Sequence, residues 1–184
     1  MSPLVLSTRA LKVVNHAIHL FHQHGFYLVG VDRIVKESEI TKMTFYHYFQ
    51  SKARFIEICL LLQKQRLQDK VVATVEYDQD TNVRDKLKTL YDLHTDLEGM
   101  YYLLLKTIFE TKNNYPNAYQ TAVRYRMWLT NELYSQLRTL KADASFHDAK
   151  LLLHIIEGTI IQRLSDNHID EWDKQFTYFI AMFS

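Results

Sequence analysis

Between Val31 and Lys52 the chain reads VDRIVKESEITKMTFYHYFQSK, and this stretch admits few folds. The spacing predicts a short helix from about Val31 to Ser38, a break at Glu39, Ile40 and Thr41, and a second helix that starts at Lys42 with Thr41 as its N-cap. Ile34, Val35, Ile40, Phe45 and Phe49 form an inward set, which leaves Lys42, Met43, Thr44, His47 and Tyr48 outside. A helix that commits so little apolar surface to its own core, and displays hydrogen-bond donors instead, suits the major groove of DNA.

The rest of the chain also reads as helix. Four glycines and two prolines in 184 residues are far below the usual share, so long helices with short connections are expected. Ser7 or Thr8 caps a first helix whose Leu11, Val14, Ala17, Ile18 and Phe21 keep helical spacing, with Gly25 as its stop. Ser51 starts a fourth helix that runs to about Thr74, without a glycine-, proline- or serine-rich linker, so rigid coupling to the remainder is expected. Five further helices are predicted at about Val83–Glu98, Met100–Lys112, Asn117–Lys141, Phe146–Leu164 and Ile169–Phe183. No alternating strand pattern interrupts them. The expected class is all-α with about nine helices, divided into residues 1–50 and residues 51–184.

Composition narrows the function classes. Residues 1–54 carry seven Lys/Arg against three Asp/Glu and five of the nine histidines, whereas the remainder carries fifteen basic and eighteen acidic residues. A basic head on a mildly acidic body fits phosphate binding at one end. No apolar run is long enough to span a bilayer. The stretch MSPLVLSTRALK lacks a signal peptide's long apolar core, and the single Cys59 sits in the apolar run FIEICLLL, so a cytoplasmic chain with a buried thiol is expected. His16, His19, His22 and His24 share spacing that invites a metal, but no Cys or Asp lies close in sequence, and a solvated face is expected. Neither a Glu-x-x-His pair of the di-iron type nor a G-x-S-x-G motif occurs in the sequence, so no cofactor, metal or catalytic residue is expected.

ALKVVNHAIHLFHQHGF followed by VDRIVKESEITKMTFYHYFQSKARF resembles the tetracycline-repressor-like (TetR/AcrR) regulators over about the first 55 residues. The resemblance implies a non-enzymatic, ligand-responsive transcriptional repressor: a homodimer that lays its recognition helices into a palindromic double-stranded operator. Carried over by position, it implies base contacts from Lys42, Met43 and Thr44, base and phosphate contacts from Tyr46, His47 and Tyr48, and a phosphate contact from Lys52. Two positions depart from the family. Gly30 replaces the usual Ser or Thr cap of the second helix, and Glu39 replaces the usual turn glycine. These departures favour the alternative, an all-helical small-molecule enzyme or carrier with a vestigial head.

The resemblance further implies that the body holds a small-molecule effector. The body's aromatic residues and interleaved polar groups nominate Tyr91, His94, Glu98, Tyr102, Phe109, Tyr125, Trp128 and Asn131, and the aromatic content suggests a largely apolar or aromatic effector. The run LLLHIIEGTIIQRL stands where the family pairs its subunits, which nominates Ile155, Gly158, Ile161 and Leu164 for the dimer interface. Glu157 on that helix has a second reading, as a pocket residue that answers a cationic ligand.

Overall fold

A computed structural model describes residues 6–77, 80–165 and 173–183. They form nine α-helices and no strand among the described residues: α1 Thr8–Leu28, α2 Val31–Glu37, α3 Lys42–Phe49, α4 Lys52–Val72, α5 Val83–Thr95, α6 Met100–Glu110, α7 Pro116–Leu140, α8 Phe146–Ser165 and α9 Lys174–Ala181. A π-helical turn, Ala73–Tyr77, prolongs α4. The all-α expectation therefore holds. The predicted start of the last helix, from Ile169, lies outside the described residues.

The chain divides into two compact units, Met1–Arg66 with Leu103–Val123 and Leu67–Tyr102 with Arg124–Ser184. In the first, an aromatic core forms because Phe45 and Phe49 leave α3 on one side and meet Phe55 of α4, with ring centroids 4.9 and 4.5 Å away. Phe21 and Phe26 of α1 lie 5.0 Å apart beside them. Such tilted and edge-on pairs add about 0.5–1.5 kcal/mol each beyond the area they bury. Cys59 is fully buried here, and loss of water around it pushes the thiol far up, which leaves it unreactive.

Gly25 does not end α1, as its sequence position suggested. It breaks the helix at φ 77, ψ 168, and one more turn follows to Leu28. That turn survives because Phe26 N–H donates to Glu110 Oε2 at 2.8 Å, and Lys52 Nζ donates to Phe26 O at 2.8 Å. Lys106 Nζ donates to His22 O at 3.0 Å on the other side of the break. Charged side chains thus satisfy the peptide groups that the interruption strands.

The second unit packs α5, α7, α8 and α9 around Leu87, Leu90, Leu129, Leu133, Leu152, Ile156 and Ile160, all buried. Tyr91 stacks on Phe176 of α9 with centroids 4.4 Å apart and bonds Thr159 Oγ1 at 3.0 Å. Arg84 holds the end of α9 by donating to Ile180 O at 3.3 Å and Phe183 O at 3.2 Å. α5 stops at Thr95, not at Glu98. Asp96 takes an extended ψ of 118°, and its side chain accepts from Glu98 N–H at 3.0 Å, a local turn that outcompetes another helical turn.

Candidate functional site

The head is built by local rules. Thr41 caps α3 by accepting from Thr44 N–H at 3.1 Å, and its hydroxyl lies 2.9 Å from that of Thr44. Of the eight α3 residues only Phe45 and Phe49 are buried. Lys42, Met43, Tyr46 and His47 are exposed, Thr44 and Tyr48 half-buried. Met43 is 84% exposed, a thioether offered to whatever the helix meets, and Tyr46 is 47% exposed with its ring edge-on to Phe45 at 5.4 Å. The structure therefore brings six of the seven expected DNA-contacting residues onto one helix, with the two Phe anchors behind it.

Lys52, the seventh, is partly engaged. Its ammonium donates to Phe26 O and lies 5.7 Å from the Tyr115 ring centroid. An ammonium carries three donors, so two remain beyond that carbonyl bond. Lys42 also has a partner that sequence reading missed: Nζ donates to Asp32 Oδ1 at 2.6 Å, which raises its pKa through the hydrogen bond and the charge.

Both ends of α3 are held by left-handed residues. Glu39 takes the turn-glycine position at φ 53, as the sequence departure foreshadowed, at about 1 kcal/mol. Gln50 was not foreseen. At φ 65, ψ −47 it closes a γ-turn of the rarer, strained hand, with Ser51 N–H donating to Phe49 O at 2.7 Å. Only the fold explains it, since Gln has no preference for positive φ. Gly30 caps α2 without a side-chain bond. A network on the head's surface joins α1 to α2: Arg33 donates to Glu37 at 2.6 Å and bonds His24 at 2.9 Å, while His16 bonds Glu37 at 3.3 Å.

In the second unit a polar cluster sits among aromatic rings. His94 is fully buried. Its Nδ1 lies 2.6 Å from Leu90 O, which only accepts, so Nδ1 carries the proton and Nε2 accepts from the Tyr125 hydroxyl at 2.7 Å. Loss of water pulls its pKa down to about 4. Beside it Tyr101 donates to Glu157 Oε1 at 2.8 Å, and Arg126 grips the same carboxylate with two bonds of 2.5 and 2.8 Å. Burial first, and the Glu157 charge second, push the Tyr101 hydroxyl well up.

Of the expected effector residues, His94, Tyr125 and Trp128 lie together, with Tyr125 and Trp128 ring centroids 5.5 Å apart. Tyr91 is buried on α5 with its hydroxyl on Thr159, and Tyr102 is half-buried. The others are not in this group. Glu98 and Asn131 are exposed, Asn131 donating to Met127 O at 3.0 Å, and Phe109 is 72% exposed in the first unit. Tyr101 and Arg126 were missed, and Glu157, read first as an interface residue, faces Arg126. The Tyr101, Arg126 and Glu157 positions bear no sequence mark of their pairing, because they come from three helices.

The expected interface residues Gly158, Ile161 and Leu164 are exposed on α8, and Ile155 is half-buried. Beyond its chain neighbours and the adjoining backbone of its own helix, nothing lies within 4 Å of where a Cβ on Gly158 would stand. An open apolar groove lined by Leu151, Ile155, Tyr178, Phe179 and Met182 continues this face between α8 and α9. No helix among the described residues is long and apolar enough to cross a membrane.

Comparison with known proteins bears on this geometry. Residues 13–57 match the family of bacterial regulatory proteins, tetR family. The biofilm operon icaADBC HTH-type negative transcriptional regulator IcaR of Staphylococcus aureus (strain Newman) is 23% identical over 139 residues, 76% of this chain and 67% of that protein. Among solved structures, a putative transcriptional regulator from Saccharomonospora viridis in complex with choline is similar at a TM-score of 0.83 and 20% identity, over 96% of this chain and 97% of that one. E. coli NemR in its reduced form is similar at 0.82 and 17%, over 93% and 95%. Residues 13–57, which hold most of α1 together with α2 and α3, are thus similar to the bacterial regulatory proteins of the tetR family, and the all-α fold is shared with the solved S. viridis regulator.

Proposed function

We propose that this chain represses transcription by binding a palindromic operator as a homodimer, and that a small, largely apolar or aromatic effector releases it. One observation carries the DNA-binding part: α3 buries only two of its eight residues, leaving four exposed and two half-buried. Lys42, Met43 and Thr44 are the proposed base contacts, Tyr46, His47 and Tyr48 contact bases and phosphates, and Lys52 contacts a phosphate. In this reading residues 1–50 are the DNA-binding part and residues 51–184 the effector-binding and dimerisation part. Repression is supported by the name of the similar IcaR, a negative transcriptional regulator. A small-molecule effector is supported by the choline in the similar S. viridis structure, with His94, Tyr125 and Trp128 as the core of the candidate region here.

Two substitutions test the DNA contacts. Lys42→Ala removes a donor to a base edge, so it is expected to reduce discrimination between operator and scrambled duplex by about 1–3 kcal/mol. Lys52→Ala is expected to weaken both duplexes alike and to flatten the salt dependence by about one phosphate contact. Fluorescence anisotropy on duplexes enriched from a random library, read across salt, separates the two. Unchanged binding by both variants contradicts the assignment of α3.

The exposed face of α8 supports the dimer. Ile161 and Leu164 are 58% and 57% exposed, and the apolar groove of Leu151, Ile155, Tyr178, Phe179 and Met182 lies between the same helix and α9, so the exposed apolar surface is grouped as at an interface. Ile161→Asp, alone or with Leu164→Asp, is expected to yield a monomer by light scattering and to lose operator binding while keeping its helicity. A variant that stays dimeric places the interface elsewhere.

A further inference from the structure

The second residue of α2 and the first residue of α3 are joined: Lys42 Nζ donates to Asp32 Oδ1 at 2.6 Å, with the side chains 60% and 76% exposed. An ion pair this open to water adds next to nothing to stability. Its consequence is positional. Lysine carries a point charge on a long flexible stem, and at the start of a groove-binding helix that stem reaches either a base edge or a neighbouring phosphate. The other two acids of the head are placed differently. Glu37 is paired with Arg33 at 2.6 Å and His16 at 3.3 Å, and Glu39 sits in the turn at φ 53. Asp32 is the carboxylate set against a cation of α3.

We propose that Asp32 is a specificity-determining residue for the operator, acting through Lys42: it holds the ammonium toward the base edges and away from the phosphates. The proposal rests on the reading of α3 as the operator-contacting helix. Two effects combine. As the helix enters the groove, water leaves and the effective dielectric falls, which strengthens the hold of the carboxylate on the ammonium. The remaining N–H groups of Lys42 are then offered to an acceptor pair such as guanine O6 and N7. The same carboxylate repels phosphates, and that repulsion penalises every sequence that does not repay it with a base contact. Without Asp32, Lys42 is free to settle on a phosphate, which binds all sequences equally. Asp32 is thus a positioning residue for Lys42.

The experiment uses the full chain as wild type, Asp32→Asn, Lys42→Ala and the double variant. Each is taken through enrichment from a randomised duplex library, followed by binding of the wild-type consensus and a scrambled duplex across salt. Asp32→Asn keeps the size of the side chain and is expected to keep the helical circular dichroism. It is expected to bind scrambled DNA several-fold more tightly and to steepen the slope of log affinity against log salt by about 0.9, the value of one added phosphate contact. Its enriched pool is expected to become degenerate at the guanine that Lys42 contacts in each half-site. In the Lys42→Ala background the Asp32 change is expected to alter neither base preference nor salt slope. A residue with a merely structural role would shift all duplexes together. Unchanged preference and slope in Asp32→Asn, or the same shifts without Lys42, overturn the role of Asp32 while leaving operator reading intact. If the wild type enriches no sequence, operator reading itself falls, and this proposal with it.

Discussion

Gly25→Ala is expected to destabilise the protein by about 4 kcal/mol, a sum of backbone strain and a lost charged hydrogen bond. At φ 77, ψ 168 the residue occupies a region that is essentially restricted to glycine. A Cβ there would stand 2.7 Å from Glu110 Oε2 and 2.9 Å from Oε1. The carboxylate ends a flexible side chain and is able to retreat, but it then abandons the Phe26 N–H that it holds at 2.8 Å. The two contributions separate in a mutant cycle. In a Glu110→Ala background the clash is gone and only the backbone part, about 2 kcal/mol, is expected. Urea unfolding of the four proteins measures both. A Gly25→Ala variant within about 1 kcal/mol of the wild type would show that the break in α1 is not held as described.

The second large effect is acid lability centred on His94. Its pKa lies at about 4 in the folded chain against 6.5 when unperturbed, because burial beside the Tyr101 and Tyr125 rings disfavours the charged imidazolium, and the hydrogen bond to the Leu90 carbonyl, which favours it, offsets only part of that. Between those values the unfolded chain binds more protons than the folded one, so stability falls as the pH falls. The contribution of neutral His94 is complete above about 6.5 and is lost progressively down to about 4. Linkage sets the loss at about 3 kcal/mol. Protonation also forces the Tyr125 hydroxyl to turn from donor to acceptor. Carboxylates elsewhere titrate in the same range, so the comparison is with His94→Gln. The stability difference between wild type and His94→Gln is expected to shift by about 3 kcal/mol in favour of the variant between pH 7 and pH 4. A difference independent of pH would mean that the imidazole is already charged or solvated.

Both effects concern groups whose partners come from distant parts of the chain, and that separates what was legible in the sequence from what was not. The head was legible almost residue by residue. Thr41 caps α3, Phe45 and Phe49 anchor it, and Glu39 adopts the positive φ that its place in the turn demands. Capping, helical periodicity and turn chemistry all act within about four residues, so a linear string records them. The body was legible as helices, but its aromatic residues did not reveal which were packing and which were polar partners. Tyr91, Tyr101 and Tyr125 are all fully buried, and helical spacing alone does not distinguish them.

By itself, then, the sequence determined an all-α chain, a helix-turn-helix between Val31 and Phe49, and an outward-facing set on α3. The tertiary structure decided that Lys42 leans on Asp32, that Glu110 rescues the break at Gly25, that His94 shares a proton bond with Tyr125, and that Glu157 answers Arg126 and Tyr101. The reason is physical. A hydrogen bond or ion pair between helices depends on where chain closure sets each backbone, and on which groups lose their water there. Neither is encoded in the spacing of residues along any one helix.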